Sequence, residues 1–428
     1  MTNTLTADDP RYRALFDVAK EAIESRGQVE GDLTPAMNAL RDEAPAMTGS
    51  LRELLHLPEV HMAFNRPRAH YTFLSFELVE RGFRENLLFS SHVYRESPGV
   101  QNLGHTILEM TGEEHRRYRA VVQPKFLKPR AQTWWKHNWI DEAVDALVER
   151  LDDGRDRADL NQELCARLPV HVVTRGIGMS GEDALIFREH LHRGTVGARY
   201  IPEAESRHAR EEVARMLKAL IVARREEPAD DVVSALVTTE MKLEDGSGRY
   251  LSDEEIFGYC RLIMLAGGGT TWRQLGITLH ALLGDYRFWE ACREERALIE
   301  ASIEESARWM PTDPTFPRLA MEDIEVGGIT VPKGARIDLC VGAANRDPAR
   351  WEDPDRYDLF RRQKYHVGFG LGPHQCLGMN VAKQEMTSAI GRLMDHFPNM
   401  RLDPDAPPAQ LMGGLEQRGM TAVPVCFR

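Results

Sequence analysis

The stretch Phe369-Gly-Leu-Gly-Pro-His-Gln-Cys376-Leu-Gly378 decides the reading of this chain, because a glycine-rich loop there carries one cysteine to the start of a helix. Ala382, Met386, Ile390, Leu393 and Phe397 then recur at helical spacing until Pro398 stops the run. A thiol at a helix start faces free amide N–H groups, so its pKa is expected to fall toward the thiolate. A thiolate is a strong ligand for a soft or borderline metal. Gly370, Gly372 and Gly378 let the backbone turn tightly around the sulfur and leave room for a flat group against the loop.

A second segment points the same way. Ser252-Asp-Glu-Glu255 has the pattern of a capping box, and apolar positions run on to Leu283-Gly284. At 1.5 Å per residue this helix is roughly 45 Å long, enough to cross a whole domain. Its middle reads Ala266-Gly-Gly-Gly-Thr-Thr271. Three consecutive glycines cost about 3 kcal/mol relative to alanine in a helix. Two readings account for them: a notch where backbone approaches a ligand beside a hydroxyl, or a close helix–helix crossing. Thr270 and Thr271 are placed to bond back to carbonyls one turn earlier and bend the helix.

The rest of the chain sets the frame. With 42% hydrophobic residues among 428, a sizeable core is available and general disorder is excluded. No window approaches 18 uninterrupted apolar residues, and the best, Ile256 to Ala266, is broken by Arg261, so no membrane anchor is expected. Met1 to Pro10 is polar, reads as a tail, and has no signal pattern, which suggests a cytoplasmic protein. The six cysteines (165, 260, 292, 340, 376 and 426) are widely spaced, which argues against a disulfide framework or a zinc site and leaves five as ordinary buried thiols. A formal charge of −12 gives no reason to expect a nucleic-acid partner.

Strand character over His70–Phe76, helical composition to about residue 310, strand character again over 314–345, then the cysteine loop and its helix: the order is mainly helical α+β. No linker or repeat divides it, so residues 1–428 read as one domain.

Six positions of the cysteine loop (Phe369, Gly370, Gly372, His374, Cys376 and Gly378) fit one pattern, whose chance occurrence is on the order of 10⁻⁵. The loop resembles the heme-binding loop of the cytochrome P450 family, the heme-thiolate monooxygenases, in its soluble bacterial form. The resemblance implies that family's fold: about a dozen helices and small sheets, with heme b between a long kinked helix and the cysteine-loop helix. It makes Cys376 the axial iron ligand, places Phe369 near the sulfur and gives His374 a heme propionate. It matches Ala266 and Gly267 to the alanine and glycine that face the heme, and Thr270 to the threonine that supports bound dioxygen. The family's acid position is occupied by Gly269, which weakens the expectation of efficient dioxygen use. Gln274, one turn beyond Thr270, is a candidate to hold a substitute water.

The resemblance extends over residues 60–428. Glu305 and Arg308, three apart on one helix face, match the family's bracing pair, with Arg356 as third member. His115, Arg119 and Arg318 match propionate-binding positions, with His366 a weaker candidate. Phe89-Ser-Ser91, Ala343-Ala-Asn-Arg-Asp-Pro348 and Pro424-Val425 are further familiar phrases.

The implied activity inserts one oxygen atom from O2 into a small to medium apolar molecule. The alternatives are a peroxide-using or oxidative-coupling member of the same fold, or a heme protein without turnover. The chain has no flavin- or nicotinamide-binding segment, so electrons must come from another protein. Two basic stretches suit an acidic ferredoxin served by its reductase: Arg116, Arg117, Lys125, Lys128 and Arg130, and Arg361, Arg362 and Lys364. Substrate contacts are expected from residues 100–107, 185–201, 266–270, 311–317 and 411–420; the second carries Arg188, Glu189, Arg193 and Arg199.

Overall fold

The computed structural model describes residues 16, 18, 29 and 31 onward, except 59–66, 102, 180–181 and 195–200. The polar tail at 1–10, Arg199 and part of the expected contact segments 100–107 and 185–201 lie outside the described residues.

A helix at Thr34–Glu43 precedes β1 (Ala46–Thr48), and β2 (His70–Phe73) follows. The strand foreseen to Phe76 stops early because the Ser75 hydroxyl accepts the Leu78 N–H and starts α1 (Phe76–Arg84). After β3 (Phe89–Ser90) come α2 (Gly112–Val122), α3 (Leu168–Gly176), α4 (Glu182–Gly194) and α5 (Glu203–Glu226). The long helix α6 (Asp253–Gly284) follows, then α7 (Leu298–Trp309), β4 (Thr315–Ala320) and β5 (Arg336–Cys340). The cysteine loop leads into α8 (Met379–His396), and the hairpin β6 (Leu411–Met412) and β7 (Gly419–Met420) stands near the end.

The main sheet runs β1-β2-β5-β4-β3. Its β2–β5 pair is parallel and β5–β4 antiparallel, with Arg318 opposite Ile337. The expected second β region thus holds β4 and β5, but beyond Cys340 the chain turns helical at Val341–Ala344.

Helix α6 begins as foreseen: Ser252 and Glu255 form both halves of a capping box. It is buried on nearly every side, as a helix with apolar residues all round must be. Around it pack α3, α5, α7 and α8. The backbone stays helical through the three glycines. Two of its glycines serve close approach: a Cβ at Gly267 would lie 2.9 Å from Val173 Cγ2 of α3, and one at Gly276 only 2.3 Å from Asn161 Oδ1.

Candidate functional site

The cysteine loop is shaped by its own backbone. Gly370 N–H donates to Val367 O (2.9 Å), Cys376 N–H to Phe369 O (2.9 Å) and Gln375 N–H to Gly372 O (3.0 Å). Gly370 and Gly372 have φ of +65° and +67°. A Cβ at Gly372 would also stand 2.8 Å from the Phe83 carbonyl, so the loop lies hard against α1. Phe369 is covered by the Lys383 ammonium, 4.7 Å from the ring centre.

Gly378 caps α8, and Cys376 lies two residues before it. The thiol is enclosed by protein, yet its surface is accessible, so it opens onto interior space. Burial pushes its pKa up, against the amides of Gly378 and Met379 and the charge of Arg119. The lowered pKa expected from the helix start is therefore corrected: desolvation, a property of the folded interior, outweighs the local dipole. Of the other five cysteines, four are buried and Cys426 is half-buried.

Arg119 donates from Nη2 to Gln375 O at 2.6 Å, tying α2 to the residue before Cys376. On the same helix, buried His115 stacks against His374 with ring centres 4.1 Å apart. Burial holds His115 down at about 4 and His374 at about 2, with Arg119 and, at His374, His115 and Arg318 adding repulsion. Arg318 is buried on β4, gives Nη1 to Pro317 O (2.8 Å) and interacts with Tyr94. His115 Nε2, His374 Nε2 and Arg318 Nε are buried and have no hydrogen-bond partner among the described residues.

Behind the loop, Glu305 and Arg308 form a buried two-point pair (2.8 Å each). Its third member is Arg361, whose Nε meets Glu305 Oε1 at 2.9 Å. Arg356 contributes its backbone carbonyl to Arg308 (3.1 Å) while its side chain is exposed, which corrects its expected role. The cause is the turn at Asp353 (φ +43°), after which Arg361 reaches back to the Asp353 and Arg356 carbonyls. His366 is spent structurally as well: Nε2 meets Glu304 (2.9 Å) and Nδ1 accepts Gly368 N–H (3.0 Å).

In the α6 notch, the Thr270 hydroxyl donates to Ala266 O at 3.0 Å, one turn back. Ala266 is exposed although it lies mid-helix in the core, so that face borders interior space. At Gly267 an added Cβ would meet Val173, so the close-crossing reading holds there. Gly268 faces Arg188 of α4, and Gly269 faces Arg273 and Gln417. Gln274 is unavailable to hold a water, since it donates to Ser306 Oγ (3.1 Å) and accepts the Thr312 N–H and hydroxyl (3.3 and 3.2 Å).

A family model described as Cytochrome P450 matches residues 199–416. Cytochrome P450 107B1 of Saccharopolyspora erythraea is 32% identical over 331 residues, covering 77% of this chain and 79% of that one. The chain belongs to the cytochrome P450 family. Cytochrome P450 monooxygenase PikC of Streptomyces venezuelae is 30% identical, over 76% of this chain and 77% of its own. The fold is that of the crystal structure of CYP109E1 from Bacillus megaterium in complex with testosterone, at TM-score 0.79, 23% identity and coverage of 93% and 99%.

Heme b is the cofactor of P450 proteins, and the residues here fit it. Three buried nitrogens on α2, β4 and the cysteine loop lack partners among the described residues, each a cost of about 1–3 kcal/mol that a propionate carboxylate would remove. An accessible thiol inside the protein is the matching feature for iron. Among described residues, no helix is long and apolar enough to cross a membrane.

Sequence reasoning missed Tyr94, the partner of Arg318, and did not single out Asp313 within the expected contact segment 311–317, although its charge acts on both Tyr94 and Cys376. Neither lies in a recognisable motif. The two basic stretches also look different in space. Arg361 is engaged in the Glu305 network, Arg116 pairs with Glu113, Arg117 with Glu244 and Lys128 with Glu300, while Lys364 gives its ammonium to Arg350 O (2.7 Å). Arg130 and Arg362 remain exposed, with no ion pair among the described residues.

Proposed function

We propose that residues 1–428 form one heme-thiolate monooxygenase domain, cytoplasmic, in which Cys376 is the axial iron ligand. It inserts one oxygen atom from O2 into a small to medium, mainly apolar organic molecule and releases the other as water. The carrying observation is the enclosed but accessible thiol of Cys376, with three buried nitrogens that have no hydrogen-bond partner among the described residues and suit carboxylates. Bound heme supplies dioxygen reduction and O–O cleavage, which thiolate electron donation favours.

The protein residues do the remainder. His115, His374, Arg318 and Arg119 hold the propionates, and Arg119 also keeps Gln375 and the thiol in register. Ala266 leaves space at the heme face, and the Thr270 hydroxyl orders a water there for proton delivery. Electrons come from a separate ferredoxin and reductase, with exposed Arg130 and Arg362 among the cations that serve docking. Gly269 favours a second reading within the same fold, oxygenation driven by peroxide, because no carboxylate stands beside Thr270 on α6.

The test is Cys376→Ser. Loss of the strongly red-shifted ferrous–CO Soret band is the expected result; retention of that band removes the assignment. Product formed from hydrogen peroxide in place of reductant, ferredoxin and O2, and at least as fast, decides for the second reading.

A further inference from the structure

Asp313 lies in the loop between α7 and β4, and that loop is held firmly. Gln274 of α6 accepts the Thr312 N–H at 3.3 Å, Thr312 O accepts the Arg418 N–H at 2.7 Å, and Pro314 O accepts the Gly342 N–H at 3.0 Å. The carboxylate takes one hydrogen bond, from the Gln417 N–H to Oδ1 at 2.7 Å. Its Oδ2 accepts none among the described residues. Like Cys376, Asp313 is enclosed by protein yet partly accessible, and its charge acts on the Cys376 thiol. The Gln417 side-chain amide stands 3.6–3.8 Å from where a Cβ on Gly269 would be, so Asp313 is one residue removed from the notch. It borders the space assigned above to heme and substrate.

The cations around it are already engaged. Arg273 of α6, whose charge Asp313 feels, gives Nη1 to Gly269 O at 2.7 Å and lies over the Trp272 ring. Arg188 of α4, which reaches Gly268, has partners of its own, and Arg318 is turned to Tyr94. Even with the Arg273 charge and the Gln417 N–H acting against it, burial pushes the Asp313 carboxyl up. A fixed carboxylate with one oxygen open and its desolvation uncompensated is stabilised by a cation entering beside it.

We propose that Asp313 anchors a positively charged group of the substrate, so that the enzyme prefers apolar molecules carrying a quaternary or protonated amine. This rests on the heme-thiolate reading and narrows its substrate class. The anchor also fixes which carbon lies at the reacting centre, since a held end orients the rest of a flexible molecule.

The experiment compares three ligands of one shape on the ferric holoenzyme: an alkyl trimethylammonium, its neutral tert-butyl analogue and the matching carboxylate. A quaternary ammonium has no lone pair and does not ligate iron itself. Binding is measured by equilibrium dialysis and by the spin-state change. The trimethylammonium should bind about ten-fold or more tighter than the neutral analogue, a difference of about 1.4 kcal/mol. In Asp313→Asn, which keeps an oxygen for the Gln417 N–H, the two should bind equally. Equal binding in the parent, preference for the carboxylate, failure of all three to bind, or a preference that survives in Asp313→Asn each overturns the proposal. The parent ranking decides even where the variant does not fold. A parent without the red-shifted CO band fails the heme-thiolate reading instead, and dialysis still reports the charge preference.

Discussion

On the cysteine side, two adjacent glutamates of α7 each hold two donors: Glu304 takes the His366 ring and the Lys383 ammonium, and Glu305 takes the guanidiniums of Arg308 and Arg361. Across the site, α6 offers three glycines, and the Thr270 hydroxyl there bonds within its own helix. Asp313 stands nearby with an open oxygen. One side is over-determined, because a ligand atom must be held to a fraction of an ångström. The other is left small and incompletely paired, as a surface that receives varied molecules must be.

The largest effect should come from breaking the buried network. Glu305→Gln leaves buried Arg308 and half-buried Arg361 with no opposing charge and should cost about 3–5 kcal/mol, read from urea unfolding, with loss of heme retention. Arg361→Ala should weaken the same loop clearly. Arg356→Ala should stay within about 0.5 kcal/mol, since its backbone carbonyl does the bonding. If Arg356→Ala proves the more damaging of the two, the network as described is wrong.

Glu304 ties α7 to both the loop and α8. Burial alone would raise its carboxyl, but His366 and Lys383 bring it down to about 2 from an ordinary 4.5. A depressed carboxylate pKa contributes stability above the unfolded value and loses it as pH falls through the folded one. Glu304→Gln should thus cost on the order of 1–3 kcal/mol at pH 7. The gap between parent and variant should close between about pH 4.5 and 2. Guanidinium unfolding at pH 7 and in that acid window gives the comparison, and a pH-independent gap would show that packing, not charge, is what Glu304 supplies.

Much of this was legible in the chain because the constraints are local. A cysteine, glycines at fixed offsets and a following apolar period specify the loop and α8 whatever surrounds them, and the capping box fixes the start of α6. What escaped depends on distant segments meeting. Arg361 displaces Arg356 because the turn at Asp353 brings the later guanidinium back to Glu305. The Cys376 thiol rises because burial outweighs two amides and Arg119. The close approach of Gly267 to α3 was not legible either, because Val173 lies 94 positions earlier, where no spacing rule reaches.

The smallest effect separates the neighbouring glycines of the notch. A methyl at Gly269 would stand 3.5 Å from Arg273 Nη1 and 3.6–3.8 Å from the Gln417 amide, ordinary contact distances. Alanine in a helix interior is favoured over glycine by about 1 kcal/mol, so Gly269→Ala should stabilise the fold by about 0.5–1 kcal/mol. At Gly267 the same methyl would lie 2.9 Å from Val173 Cγ2, and crowding should cancel or reverse the gain. Urea midpoints of the two variants, measured side by side, are the check. If Gly269→Ala stabilises while Gly267→Ala does not, the first glycine is there for packing and Gly269 is kept at a cost in stability. That cost then points to the space beside Gln417 and Asp313 as what this position preserves. Equal behaviour of the two would remove the distinction between a helix crossing and an open notch, and with it the contrast between the two sides of the site.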